Sequence, residues 1–159
     1  MTDLLSFPDH ARVWIYGADK IIDANHIAGL HDEIFNFTKS WSSHQLAVKA
    51  TGGLLHGFFI VFVVDETGNK PGGCSIDGSV QFIRKLGERE NVDFLNRQIV
   101  YYLDEDKVKC MPLSQLKAAF SNQDVTMDTL FFDTLVQDKI NFLKAWLKPL
   151  KDSWQNKFL

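Results

Sequence analysis

The chain reads as a single α+β domain, and three observations carry that reading. Apolar residues recur at helical spacing in some segments and alternate in others. The segments follow one another as β-α-β-β-α-β-β-α-β-α, which is neither a series of βαβ units nor a string of helices. No internal repeat, low-complexity stretch or linker rich in Pro, Gly or Ser divides them. The first six elements match the split β-α-β arrangement, so the first part is expected to be ferredoxin-like, with a mixed or antiparallel sheet. One domain then covers residues 1–159, and the alternative division falls near residue 112.

Arg12 to Tyr16 alternates and predicts the first strand. Ile27, Leu30, Ile34, Phe37 and Trp41 fall on one face of a helix running from about Asp23, its expected N-cap. Leu46 to Thr51 alternates as a strand, and Gly52-Gly53 reads as a turn or a bulge. Phe58 to Val64 is a continuous apolar run, the pattern of a central strand covered on both faces. Thr67 to Gly73 is loop in composition. Ile76, Val80, Ile83 and Leu86 form the next helical stripe, with Gly87 at its expected end.

Gln98 to Leu103 and Lys107 to Met111 predict a hairpin turned by Asp104-Glu105-Asp106. A short helix capped by Ser114 runs to Phe120, and Thr129 to Val136 reads as a strand. Ile140, Leu143, Trp146 and Leu147 form a last helical stripe stopped by Pro149. The tail keeps Trp154 and Phe158 and is therefore expected to dock on the body.

Bulk composition excludes several classes. Thirteen phenylalanines and four tryptophans in 159 residues argue for a packed interior and against disorder. A net charge of −3 gives no general attraction to nucleic acid. The longest apolar run, Phe58 to Val64, is too short to span a bilayer. The N-terminal residues lack a basic segment and a long apolar core, so no secretory signal is read there. A cytoplasmic protein with Cys74 and Cys110 reduced is the expectation, over a Cys74–Cys110 disulfide.

The one stretch with the local chemistry of a site is Gly72-Gly73-Cys74-Ser75-Ile76-Asp77-Gly78-Ser79. It stands at a predicted helix N-terminus, where unpaired N–H groups and the helix dipole favour an anion or a thiolate. Cys74 is the candidate nucleophile, with His44 or His56 as its base; the structural alternative is a small residue at a tight junction. Gly73, Ser75, Asp77 and Ser79 form a candidate ligand cradle; the structural alternative makes Ser75 the cap and Asp77 a partner of the dipole. Asp65 and Glu66 at the end of the central strand, with Asp77 nearby in sequence, are candidate ligands for a divalent cation if the three converge; the structural alternative is a solvated turn after a buried strand, and no Cys/His set has zinc spacing. His26 and His31 are five apart, not the four of a helical metal pair, and are expected to face solvent. Trp41 and Trp146 lie on core stripes, whereas Trp154 and Phe158 are the candidate contact surface. Walker A, GxGxxG, GxSxG and CxxC patterns are all absent, so no cofactor is implied.

Three stretches resemble a family of uncharacterised bacterial proteins of about this length: Arg12-Val-Trp-Ile-Tyr, Gly73-Cys-Ser-Ile-Asp-Gly-Ser-Val-Gln-Phe, and Asp128-Thr-Leu-Phe-Phe-Asp-Thr-Leu-Val with Pro149-Leu-Lys-Asp-Ser-Trp. Members of that family sometimes carry an "ABC transporter ATPase" label. This chain has none of the motifs such an ATPase needs, and the family supplies no catalytic residue to carry over. Residues 107–136, through Met111-Pro-Leu-Ser-Gln-Leu-Lys-Ala-Ala-Phe and Val125-Thr-Met-Asp-Thr-Leu, are similar to the GYF-type peptide-recognition fold. The aromatic signature of that fold is missing here. The expected function is a small non-catalytic protein that binds a protein partner or small ligand at Gly73 to Ser79. The alternative is a thiol-dependent enzyme built on Cys74. Oligomeric state is left open.

Overall fold

The computed structural model describes residues 1–159. In chain order the elements are β1 (Arg12–Gly17), α1 (Ile27–Ser40), β2 (Ser42–Ser43), β3 (Leu46–Ala47), β4 (Lys49–Leu55), β5 (Phe59–Asp65), α2 (Gly73–Glu90), β6 (Ile99–Asp104), β7 (Lys107–Pro112), α3 (Leu116–Ser121), β8 (Leu130–Phe132), α4 (Lys139–Ala145) and β9 (Leu147–Pro149). Short 3₁₀ turns cover Leu4–Ser6, Leu113–Gln115, Leu150–Asp152 and Trp154–Phe158. The fold is α+β, with every strand pair antiparallel. No helix is long and apolar enough to cross a membrane.

The apolar run forms β5, the centre of a three-stranded sheet in the order β1-β5-β4. Phe59 to Val64 have no exposed surface, because the two faces of the strand are covered by different layers. Side chains alternate across a strand, so Phe62 meets α1 through Phe37 and Trp41 at ring separations of 5.8 Å each. Phe37 stacks on Phe82 of α2 at 4.2 Å, which sets both helices on that face. Phe59 points the other way and touches Tyr101, Phe132 and Trp146 at 4.7, 5.0 and 5.1 Å.

β1, α1, β4, β5 and α2 follow the ferredoxin-like plan. The next strand, β6, goes instead to a second sheet in the order β7-β6-β8-β9. Its hairpin with β7 is in register from Ile99↔Pro112 to Asp104↔Lys107. The edge of β1 is therefore met only at its start. There the N–H of Val13 donates to Gln137 O, and the N–H of Lys139 donates to Ala11 O, each at 2.9 Å. The ammonium of Lys139 is buried and donates to Phe7 O at 2.6 Å.

Several boundaries differ from the sequence expectation, each for a local reason. α1 starts at Ile27, because Asp23 closes an Asx turn on the N–H of Asn25 (2.9 Å) rather than capping a helix. Gly52-Gly53 lies inside β4, where α1 crosses the strand. A Cβ at Gly52 would stand 2.6 Å from Val61 O, and one at Gly53 would fall on the His31 ring. α2 runs past Gly87 to Glu90 and ends on Asn91, in left-handed conformation at φ 55°. Ser114 caps nothing, because a 3₁₀ turn precedes α3.

β8 stops at Phe132, because the Asp133 carboxylate accepts the N–H of Leu135 at 2.9 Å and turns the chain. Asp138 caps α4 by accepting the N–H of Asn141. That phase buries Lys139 and Phe142 and leaves Leu143 exposed. The tail docks: Leu150 and Gln155 are buried, the first in a small cluster with Val100, Met111, Leu116, Val125 and Phe131.

Candidate functional site

The sequence places its candidate chemistry at the start of α2, and the fold puts that start beside β2. The N-cap is Gly72, in extended conformation and with no side chain to offer. Ser75 donates to Ser42 O at 2.7 Å, and Ser79, buried, donates to Ile76 O at 2.6 Å. Ser75 thus stitches α2 to β2 instead of capping the helix. Both hydroxyls of the expected cradle are engaged within the protein, while Gly73, Cys74 and Asp77 are exposed. Trp41 donates its indole N–H to Ser75 O at 3.0 Å.

The two candidate bases part company. His44 sits in the β2–β3 turn with φ 54°, and its Nε2 lies 3.4 Å from where a Cβ on Gly72 would stand. His56 lies in the β4–β5 turn, packed against Phe132 and Trp146 at 5.4 and 5.6 Å. The seven residues of β4 separate that turn from the α2 end of the sheet, about 20 Å at the strand rise. Burial among these rings lowers the pKa of His56. The structure brings His44, and not His56, to the Cys74 end.

The remaining titratable candidates have internal partners. Asp65 accepts from the hydroxyl and N–H of Thr67 at 2.6 and 3.0 Å, which lowers its pKa, and Glu66 faces Lys70 at 3.7 Å. No group of three or more His, Cys, Asp or Glu side chains stands together as a metal site. His26 pairs with Glu90 at 2.7 Å, and this hydrogen bond raises its pKa. His31, expected to face solvent, is half-buried and accepts the N–H of Leu54 through Nδ1 at 3.1 Å. Both thiols are free. Cys110 donates to Asp19 O at 3.4 Å, and burial raises its pKa.

The concave surface with unspent chemistry lies elsewhere. A cleft of about 390 Å³ opens between β1 on one side and Phe94 to Ile99 on the other, with Thr134 to Gln137 and Trp154 completing its wall. Its only charged lining residues are Arg12 and Arg97. Neither guanidinium makes a salt bridge or a side-chain hydrogen bond. Arg12 lies 5.0 Å over the Trp14 ring. Burial raises the pKa of the Tyr16 hydroxyl, and the positive charges of Arg97 and Arg12 oppose that rise. A second hollow, of about 400 Å³, carries both signs of charge, including Lys20, Arg84, Asp19 and Glu88.

The floor of the cleft is main chain. The β1–β5 register, with Val13 N–H turned to Gln137 and Ala18 N–H to Phe58 O, directs the backbone groups of Arg12, Trp14 and Tyr16 toward β5. Those of Ile15 point the opposite way. Its N–H and C=O have no partner in the chain, nor do the C=O of Val13 and the N–H of Gly17. Trp154 closes one end, with Phe158 edge-on at 5.9 Å. The Trp154 indole N–H is buried without an acceptor.

No family model, curated protein or solved structure matches this chain.

Of the sequence candidates, Trp154 lines the cleft, Phe158 flanks it, and Gly73 to Ser79 stand apart from it. Trp41 links the two regions, since its ring meets Trp14 at 6.2 Å while its N–H holds Ser75. No local signal marks Arg97, which lies in a segment without periodicity, and Arg12 reads in the sequence only as the start of a strand. The alternation Arg12-Val-Trp-Ile-Tyr does place Arg12, Trp14 and Tyr16 on one face. That the neighbouring edge stays unpaired depends on where β6 goes, which no local pattern records.

Proposed function

We propose that this chain is a non-catalytic binding domain, and that its contact surface is the cleft along β1. The supporting observation is the open main-chain edge at Ile15, set beside two guanidiniums without counter-ions. Arg12 and Arg97 are exposed and hydrated, so they attract and orient an anionic occupant rather than demand one, while the Ile15 edge offers that occupant main-chain partners. The free thiols of Cys74 and Cys110 favour a reducing compartment, hence the cytoplasm. The test is amide chemical-shift mapping of the labelled chain against a mixed panel of small anions and short peptides. Shifts concentrated at Ile15, Tyr16, Arg97 and Trp154 are expected. Shifts confined to Gly73, Ser75, Asp77 and Ser79 would return the contact to the start of α2.

A second reading keeps Cys74 as the nucleophile of a thiol-dependent enzyme, with His44 as base. It is favoured by the exposure of Cys74 in the first turn of α2 and by the His44 ring bordering Gly72. With Cys110→Ser in place, alkylation of Cys74 that levels off below about pH 7 supports it. A rate that keeps rising like that of a free thiol counts against it.

A further inference from the structure

We infer that the cleft takes an extended, acidic peptide segment as an added strand on β1, an inference that rests on the cleft being the contact surface. A sheet edge presents alternating N–H and C=O groups, and the ligand that meets both in one register is another strand. The stretch from Val13 C=O to Gly17 N–H is such an edge. At about 3.3 Å per residue it is roughly 13 Å long, room for a short segment and not for a long one. The protein already uses the same edge in this way, since Gln137 and Lys139 pair with Val13 and Ala11 just before the free stretch begins.

Charge selects the kind of peptide. The whole chain carries −3, yet the charges lining the cleft are all positive. A carboxylate, from Asp, Glu or a chain terminus, gives Arg12 and Arg97 the bidentate partner their geometry suits. The exposed Leu135 supplies apolar surface for a side chain of the incoming strand. A second copy of this acidic chain fits that charge pattern less well.

The experiment selects short random peptides against the full chain and then follows the enriched ones by hydrogen exchange. Enriched peptides are expected to carry Asp or Glu beside β-branched or aromatic residues. They should slow exchange of the Ile15 amide, and should lose binding when their alternate amides are N-methylated. Arg97→Glu should weaken them by at least about tenfold, the size of one charge-assisted bond, with Arg97→Lys partly restoring affinity. Peptides that bind without protecting Ile15, or that ignore Arg97→Glu, overturn the inference. If no peptide is enriched while benzoate or inorganic phosphate shifts Ile15 and Arg97, the peptide assignment fails and the cleft remains the contact. If none of these probes perturbs the cleft, both readings fall. Ile15 protection that grows with protein concentration alone assigns the edge to a second copy and also overturns the peptide.

Discussion

Tyr101 fills the space that a side chain at Gly17 would occupy, and its hydroxyl donates to Ala18 O at 2.8 Å. Here the two sheets touch: Gly17 ends β1, and Tyr101 stands on β6 with its ring against Phe59. Burial pushes the pKa of the Tyr101 hydroxyl far above that of free tyrosine. Gly17→Ala forces a methyl into the Tyr101 ring. Overpacking of this kind costs about 1–3 kcal/mol, to be read as a lowered midpoint in urea denaturation.

His31 closes the outer edge of β4, its Nδ1 taking the N–H of Leu54 while Lys39 donates to Ala50 O. His31→Ala leaves that N–H without its acceptor. The expected loss is about 1–3 kcal/mol, the cost of leaving a buried donor unpaired, together with faster hydrogen exchange at the Leu54 amide. An unchanged exchange rate there would show that α1 does not guard this edge.

Two histidines should answer to pH in opposite senses. The hydrogen bond to Glu90 raises the folded-state pKa of His26 above the usual 6.5. Its contribution is therefore complete below the unfolded value and disappears as pH rises through the folded one. Burial holds His56 below 6.5. Its contribution is present above the unfolded value and is lost as pH falls through the folded one. A proton NMR titration should show the His26 ring titrating above the His56 ring, with Glu90→Gln moving only the former.

The thiols should react in sequence. Cys74 is exposed, whereas Cys110 is partly covered and its pKa is raised by that burial. Iodoacetamide is expected to modify Cys74 first, with Cys110 following more slowly. Mass spectrometry of the two tryptic peptides over time reads this directly, and equal rates would contradict it.

Leu150 holds the tail to the second sheet from a fully buried position among Val100, Met111, Leu116 and Phe131. Leu150→Ala should cost about 2–5 kcal/mol. The same variant should raise Trp154 accessibility to acrylamide, because the two residues share one packed cluster.

What the sequence disclosed followed the range of the forces involved. The apolar run Phe58 to Val64, the stripe Ile27, Leu30, Ile34, Phe37 and Trp41, and the Asp104-Glu105-Asp106 turn rest on contacts near in sequence or on simple burial; the run forms β5 from Phe59, the stripe forms α1 with Trp41 just past its end, and the turn joins β6 to β7. Gly52-Gly53 reads locally as a turn or bulge, because glycines required by the Val61 carbonyl of β5 and by the His31 ring of α1 look in sequence like glycines required by a turn. Thr129 to Val136 alternates well, yet a single carboxylate at Asp133 ends the strand. The cleft was hidden for a topological reason: it exists because β6 pairs with β7 and β8 and leaves most of β1 uncovered.

The contact of Lys139 with Phe7 joins residues 132 apart in sequence, and the main core draws on side chains from Phe7 to Phe142. During synthesis, β1 through α2 leave the ribosome well before Phe132 and Trp146 arrive to cover Phe59. The nascent chain thus carries an unshielded aromatic face for much of its translation, a surface of the kind chaperones hold. A premature stop after α2 would leave that face bare permanently, and the truncated product should aggregate.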